Sequence, residues 1–360
     1  MTMCTIVAED DPIIRAAQVI LDPTTTPERY SAIADYYSVD VPDFDQWVNK
    51  LRTSYKNIFP SKITMVAELA QYHLELPFAD GIICQNLPVG KNELELAPNL
   101  KVVQKFGIDT RNIDINKCKK FGVLVLPLRR RVNIAVAEHA FTMMLAMSKQ
   151  LCQINHLIDE DSLKSAGFKP KMFDLRHTAS ANWARIQGLT SINGSTVGCL
   201  GLGEIGREVA FRAQAFGANI LYYQRNRVSR KIENSLGATY VSFEKLLTES
   251  DYISIHLPLN NSTTNMINAK AFRLLKEGAF LVNISRADII NRKALLDALK
   301  SDRLGGIAMD VHYDEPAAPG EPLKDFSKAI LTPHVGVGGR GNGAADMEEI
   351  ISNLARKMPK

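Results

Sequence analysis

The residues best equipped for chemistry lie in the last third of the chain, each just past an apolar run of strand length. Ala279-Phe-Leu-Val-Asn-Ile284 is followed by Ser285 and the cation of Arg286. Gly306-Ile-Ala-Met-Asp310-Val311 leads to the carboxylate of Glu315, and Ala329-Ile-Leu-Thr332 leads to the imidazole of His334. Taken singly, an arginine after a strand reads as a surface ion pair, Glu-Pro as a turn and a lone histidine as a satisfied core or surface group. A cation, a carboxylate and an imidazole at consecutive strand ends form a set that chance does not readily produce. In open parallel sheets ligands bind at that edge.

Upstream, Thr196-Val-Gly-Cys-Leu200 runs into Gly201-Leu202-Gly203-Glu204-Ile205-Gly206 and then into a helical pattern with Ile205, Val209, Ala213 and Phe216 on one face. Gly201 suits the tight turn, Gly203 lets a pyrophosphate approach the backbone, and Gly206 lets the helix pack close to the strand. The unpaired N–H groups and the positive end of the helix dipole then face the phosphates. The next apolar run, Asn219-Ile-Leu-Tyr-Tyr223, ends near the distance at which a βαβ unit meets the adenosine ribose. An enzyme that uses NAD carries Asp or Glu there, whose carboxylate repels a 2′-phosphate. Here the position, 23 residues after Gly201, is Gln224, followed by Arg225-Asn226-Arg227. Guanidinium groups suit a phosphate dianion. The expected cofactor is therefore NADP, as NADPH, in preference to NAD, with Arg225 as first contact and Asn226 and Arg227 in support.

The elements that must position these groups are those of an α/β protein. Residues 1–126 alternate strand-like runs at 18–21, 81–84, 100–104 and 123–126 with helical pieces at 42–56 and 113–120, giving a smaller parallel layer. Cys4-Thr-Ile-Val7 is left unassigned. Residues 132–153 form a helix apolar on most faces, which suits a bridge or a subunit interface. A long polar loop spans 157–192, of the kind that caps a site or reaches a partner. Strands at 252–257, 279–284, 306–311 and 329–332, with helices at 243–248, 269–276 and 293–300 between them, complete a doubly wound parallel sheet. Residues 344–356 are helical and expected to pack on the first domain. This predicts two Rossmann-like domains, a flavodoxin-like one (1–126 plus 336–360) for substrate and catalysis and a dinucleotide-binding one (127–335), with a cleft between them.

The sequence resembles the D-isomer-specific 2-hydroxyacid dehydrogenases, which include glyoxylate and hydroxypyruvate reductases and phosphoglycerate dehydrogenases. The match covers roughly residues 80–340, through Ala97-Pro-Asn-Leu-Lys101, Asn112-Ile-Asp114, Ala135-Val-Ala-Glu-His139, the glycine motif, residues 281–286, residues 310–316 and residues 332–336. The 29-residue interval from Arg286 to Glu315 is also similar to the family's. The resemblance implies that Arg286 holds the substrate carboxylate and polarises the 2-oxo group, that His334 is the general acid, that Glu315 orients His334 and favours its charged form, and that Asp310 accepts a hydrogen bond from the nicotinamide carboxamide. It also implies cofactor contacts by Glu204, Ile205, His256, Pro258, Ile284, Ser285 and His334. The expected activity is reduction of a small 2-oxoacid to the D-2-hydroxyacid, or the reverse. Negative charge building on a carbonyl oxygen needs a proton donor in reach and a fixed cation. No metal is required.

Three departures from the family bear on the substrate. The usual Gly-Val-Gly-Tyr-Asp loop reads Gly107-Ile108-Asp109-Thr110-Arg111, where Asp109 repels a carboxylate unless a neighbour compensates. Pro127-Leu-Arg129-Arg130-Arg131 replaces Asn-Thr-Pro-Gly. Arg129 and Arg130 are thus candidates for a second anionic group, beside the reading as a solvated loop. Ala287-Asp288 replaces a glycine pair. Competing functions are a dinucleotide-sensing, corepressor-like binding protein on the same fold, and a phosphite or formate dehydrogenase. Glutamine stands in formate enzymes where this chain has Glu315, and Ile108 stands where phosphite enzymes have lysine.

The whole chain bounds the partners. Its 360 residues suit two domains. A net charge of +4, spread along the chain, points to neither nucleic acid nor membrane. Five cysteines without metal-like spacing read as reduced thiols of a cytoplasmic protein. No basic-then-apolar leader opens the chain. The apolar helix, needing cover beyond one domain, suggests a homodimer.

Overall fold

The computed structural model describes residues 3–358. Its chain divides into two compact units, one holding residues up to Ala135 together with those from Val337 onward, the other Val136–Gly336.

The first unit is built on five parallel strands, β1 (Cys4–Glu9), β2 (Ser61–Val66), β3 (Gly81–Cys84), β4 (Val102–Lys105) and β5 (Leu124–Pro127), in the order β2-β1-β3-β4-β5. Parallel strands covered on both faces read as unbroken apolar runs. All four residues of β3 are buried and apolar accordingly, and all four of β4 are buried although it ends in Gln104 and Lys105. Two sequence expectations are corrected here. Residues 18–21 are not a strand but the end of the helix Arg15–Leu21, which follows a turn in which Asp11 Oδ1 accepts from the N–H groups of Ile13 and Ile14. That helix buries Ala16, Ala17, Val19, Ile20 and Leu21, so it shows no helical period to read. The unassigned Cys4–Val7 stretch lies in β1, paired on both sides by β2 and β3. The helix Gly341–Lys357 belongs to this unit and buries Met347, Ile350, Ile351 and Leu354 among Ile6, Ala17, Ile83 and Val102. That spacing presents one helical face.

The second unit holds seven parallel strands, β6 (Thr196–Leu200), β7 (Asn219–Tyr223), β8 (Ala238–Tyr240), β9 (Tyr252–Ile255), β10 (Ala279–Asn283), β11 (Leu304–Met309) and β12 (Ala329–Leu331), in the order β12-β11-β10-β9-β6-β7-β8. Strand order reverses between β6 and β9, which is the switch point where such sheets bind dinucleotides. Two parallel-stranded Rossmann-like units are thus the architecture that the sequence predicts. The short edge strand β8 and the helix Arg230–Leu236, closed by Gly237 at φ 57°, were not expected. The helix Arg131–Ser148 stops five residues early, because Gln150 turns left-handed at φ 49° before a separate turn at Leu151–Ile154. Phe216 does not join the buried face of its helix; it is half exposed and packs edge-on against Phe141, with ring centroids 4.8 Å apart.

Candidate active site

The switch point is shaped by two glycines, Gly201 and Gly206, that nothing larger can replace. Gly201 has φ 96°, its N–H donates to Tyr223 O at 2.8 Å, and a Cβ there would sit 2.8 Å from His256 O. A Cβ on Gly206 would lie 2.2 Å from Gly201 O, whereas Gly203 faces open space. The first bond of the helix Glu204–Ala215 back to the turn is from Arg207 N to Gly203 O, at 3.0 Å. Helix first-turn N–H groups lack acceptors within their own helix and carry the positive dipole end, so this turn fits a dinucleotide pyrophosphate. His256, just past β9, packs its Cδ2 beside Gly206, with both ring nitrogens buried and without a hydrogen-bond partner among the described residues. Burial pushes its pKa down to about 3, so the ring is neutral.

Beyond β7, Gln224 ties two loops together. Its Oε1 accepts from Leu202 N at 2.8 Å in the glycine turn, and its Nε2 donates to Asn226 O at 2.6 Å. Arg227, expected to support a phosphate contact, is turned to the protein itself. Its guanidinium donates to both oxygens of Glu233 at 2.7 and 2.8 Å, and Tyr222 adds a hydroxyl to the same carboxylate at 2.6 Å. These bonds, Arg227 first, hold the Glu233 pKa down to about 2. Arg225 is exposed and makes no hydrogen bond or ion pair among the described residues.

Neighbouring strands β10, β11 and β12 deliver the chemical groups to the same sheet edge. At the end of β10, buried Asn283 accepts from Ser285 N (3.0 Å) and Ser285 Oγ (2.9 Å) and donates to Arg286 O (2.9 Å). The backbone of Arg286 is thereby fixed while its exposed side chain donates from Nη1 to Ser285 O at 2.6 Å. Past β11 and β12, His334 Nδ1 donates to Glu315 Oε2 at 2.7 Å, and Glu315 Oε1 accepts from His312 N at 2.8 Å. Partial burial pushes the Glu315 carboxyl up. The hydrogen bonds from His334 and His312 N outweigh this and hold it below the ordinary carboxylate value. His334 itself has φ 55°, a left-handed conformation that costs a non-glycine residue about 1–3 kcal/mol and persists only where surroundings enforce it. With Nδ1 committed to Glu315, Nε2 is the atom left to exchange a proton. Arg286 lies two strand spacings from His334's strand, about 10 Å.

Asp310, expected to face the nicotinamide, turns its carboxylate toward its own chain. Oδ1 accepts from Thr332 Oγ1 (2.6 Å) and Val335 N (2.9 Å), and Oδ2 accepts from Gly336 N (2.7 Å). Asn283, His312 and Thr332 were not singled out from the sequence. The partners of Thr332 and of the His312 ring lie on distant segments, so no local pattern marks them, whereas the Asn283 side chain bonds only two and three residues ahead within its own turn.

In the first unit, Gly107 follows β4 with φ 137°. The charge of Asp109 is compensated: Arg111 Nε lies 2.9 and 2.8 Å from its two oxygens and Nη2 lies 2.5 Å from one of them. Of the arginine triplet, Arg130 stacks its guanidinium 3.9 Å from the centre of the Phe106 ring. Arg131 binds Asp346 and Glu349, both at 2.9 Å. Arg129 is exposed.

The model of the D-isomer-specific 2-hydroxyacid dehydrogenase NAD-binding domain matches residues 141–336. The glyoxylate reductase of Thermococcus litoralis is 35% identical over 250 residues, covering 69% of this chain and 71% of that protein. The D-3-phosphoglycerate dehydrogenase of Archaeoglobus fulgidus is 30% identical over 289 residues, 79% of this chain and 51% of that longer protein. The holo D-mandelate dehydrogenase of Rhodotorula graminis superposes with a TM-score of 0.58 at 20% identity, over 99% of this chain and 94% of that one, a likeness of fold alone. The fold and the glycine turn define a nicotinamide-dinucleotide-binding oxidoreductase. The chain belongs to the D-isomer-specific 2-hydroxyacid dehydrogenase family.

Proposed function

We propose that the protein reduces a small 2-oxoacid to the D-2-hydroxyacid with NADPH in preference to NADH. The observation that carries this reading is the 2.7 Å His334–Glu315 pair, held on the same sheet edge as Arg286 and the glycine turn. Gly201, Gly203 and Gly206, with Glu204 and Ile205 at the helix start, hold the pyrophosphate. When bound, the nicotinamide supplies the reducing equivalent. Arg286 binds the substrate carboxylate and polarises the 2-oxo group. His334 delivers a proton from Nε2 to the developing alkoxide, and Glu315 keeps the ring oriented. Pyruvate-like and glyoxylate-like acids fit a single guanidinium anchor.

Preference for NADPH rests on the missing carboxylate at Gln224 and on Arg225. Because Arg227 is bound to Glu233, Arg225 is the cation left for a 2′-phosphate. The test is a panel of 2-oxoacids followed by loss of reduced-nicotinamide absorbance with each cofactor. Arg225→Ala is expected to weaken NADPH about tenfold while sparing NADH, as loss of a charge-assisted contact does. Equal use of both cofactors by the wild-type protein refutes the preference, and absence of turnover with every 2-oxoacid refutes the activity.

We also propose a homodimer formed through the second unit. Leu151, Ile158, Met172 and Leu175 expose apolar side chains on the segment after the long helix, and a concavity of about 640 Å³ nearby is lined by Met147, Phe168, Phe280 and Ile330. Apolar surface of this kind on one segment favours association.

A further inference from the structure

Resting on the role proposed for His334, we propose that His139 and Thr332 are positioning residues that act through Asp310 to hold the catalytic imidazole in its left-handed pose. His334 at φ 55° is a conformation that L residues rarely adopt, so the chain on both sides must be restrained. It is. Ahead of the imidazole, Thr332 O accepts from His334 N (2.9 Å) and from His312 Nε2 (2.8 Å). Behind it, the N–H groups of Val335 and Gly336 both end on Asp310, whose side chain is buried. One carboxylate therefore grips the two peptide units that follow the catalytic residue.

Asp310 is in turn aimed by a chain of donors. Thr332 spends its hydroxyl proton on Asp310 Oδ1 at 2.6 Å, so the proton shared between Thr332 Oγ1 and His139 Nε2, 3.0 Å apart, belongs to the imidazole. His139 Nε2 also lies 3.4 Å from Asp310 Oδ1. The order is His139 to Thr332 to Asp310 to the backbone at 335 and 336. Gly336 completes the fit, because a Cβ there would come within 2.7 Å of Asp310 Oδ2 and 3.4 Å of His139 Cδ2. His139 sits on the helix Arg131–Ser148, so a long rigid element is coupled to the loop that carries the general acid.

Thr332→Val keeps the shape and removes the hydroxyl; Thr332→Ser keeps the hydroxyl. For each, kcat, the KM for the 2-oxoacid and the dissociation constant of NADPH from its fluorescence are measured. Thr332→Val is expected to lower kcat about tenfold, the worth of one buried hydrogen bond, with NADPH binding within about twofold of wild type. Thr332→Ser restores it. His139→Leu should match Thr332→Val, His139→Gln should retain most of the activity, and the Leu and Val changes together should lose no more than either alone, because they break one chain. Unchanged kcat in Thr332→Val and His139→Leu overturns the proposal, as does a loss expressed wholly as weaker NADPH binding, which would make the cluster a cofactor wall. Full turnover by His334→Ala would instead overturn the catalytic reading beneath it.

Discussion

At the scale of residues, the role proposed for the Glu315–His334 pair makes a prediction about turnover in acid. Glu315 has a folded pKa below its ordinary value, so the orientation it gives His334 is complete above the unfolded carboxylate pKa and is lost only as pH falls through the lower folded value. The acid limb of kcat/KM should accordingly lie below the range where a free glutamate titrates. In Glu315→Gln that limb should vanish while turnover drops about tenfold or more. A limb that survives the substitution unchanged assigns it to another group. The placement of Arg286, Glu315 and His334 just past neighbouring strands of one sheet was legible in the sequence, because each follows an apolar run. The engagements of Arg227 and Asp310 were not legible. Each depends on partners in other segments, Glu233 for the first and Thr332, Val335 and Gly336 for the second.

At the scale of elements, the glycine turn works by steric exclusion. A methyl group on Gly206 would meet the backbone oxygen of Gly201 at 2.2 Å, and neither atom is the end of a flexible side chain. Gly206→Ala should therefore open the turn and weaken NADPH binding by about tenfold or more, ~1.4 kcal/mol or above, as titration of cofactor fluorescence would show. Wild-type affinity in that variant would place the pyrophosphate elsewhere. The interior strands β9, β10 and β11 were readable because strands buried on both faces are continuous apolar runs. Edge elements were harder. In β2, exposed Lys62 interrupts the apolar run, and β8 has only three residues. The run at 18–21 misled because an apolar stretch buried on all sides is equally consistent with helix and strand.

At the scale of the whole molecule, the chain forms two parallel-stranded units, and no helix among its described residues is long and apolar enough to cross a membrane. Its assembly is tested by sedimentation at micromolar concentration. A dimer is expected, and a replacement of Ile158 and Met172 by charged residues should shift it toward monomer; a wild-type monomer contradicts the proposed assembly. A doubly wound parallel sheet was expected from the spacing of the apolar runs, whereas its strand order, reversing between β6 and β9, and the direction of each side chain had to come from the structure.

The central claim is that the His334 imidazole supplies the proton for reduction of a 2-oxoacid. The most direct measurement compares wild type and His334→Ala side by side, recording consumption of NADPH with the best 2-oxoacid of the panel together with the NADPH dissociation constant. Turnover is expected to fall by about 100-fold or more in His334→Ala while NADPH binds nearly as before. Equal turnover by the two proteins would contradict it.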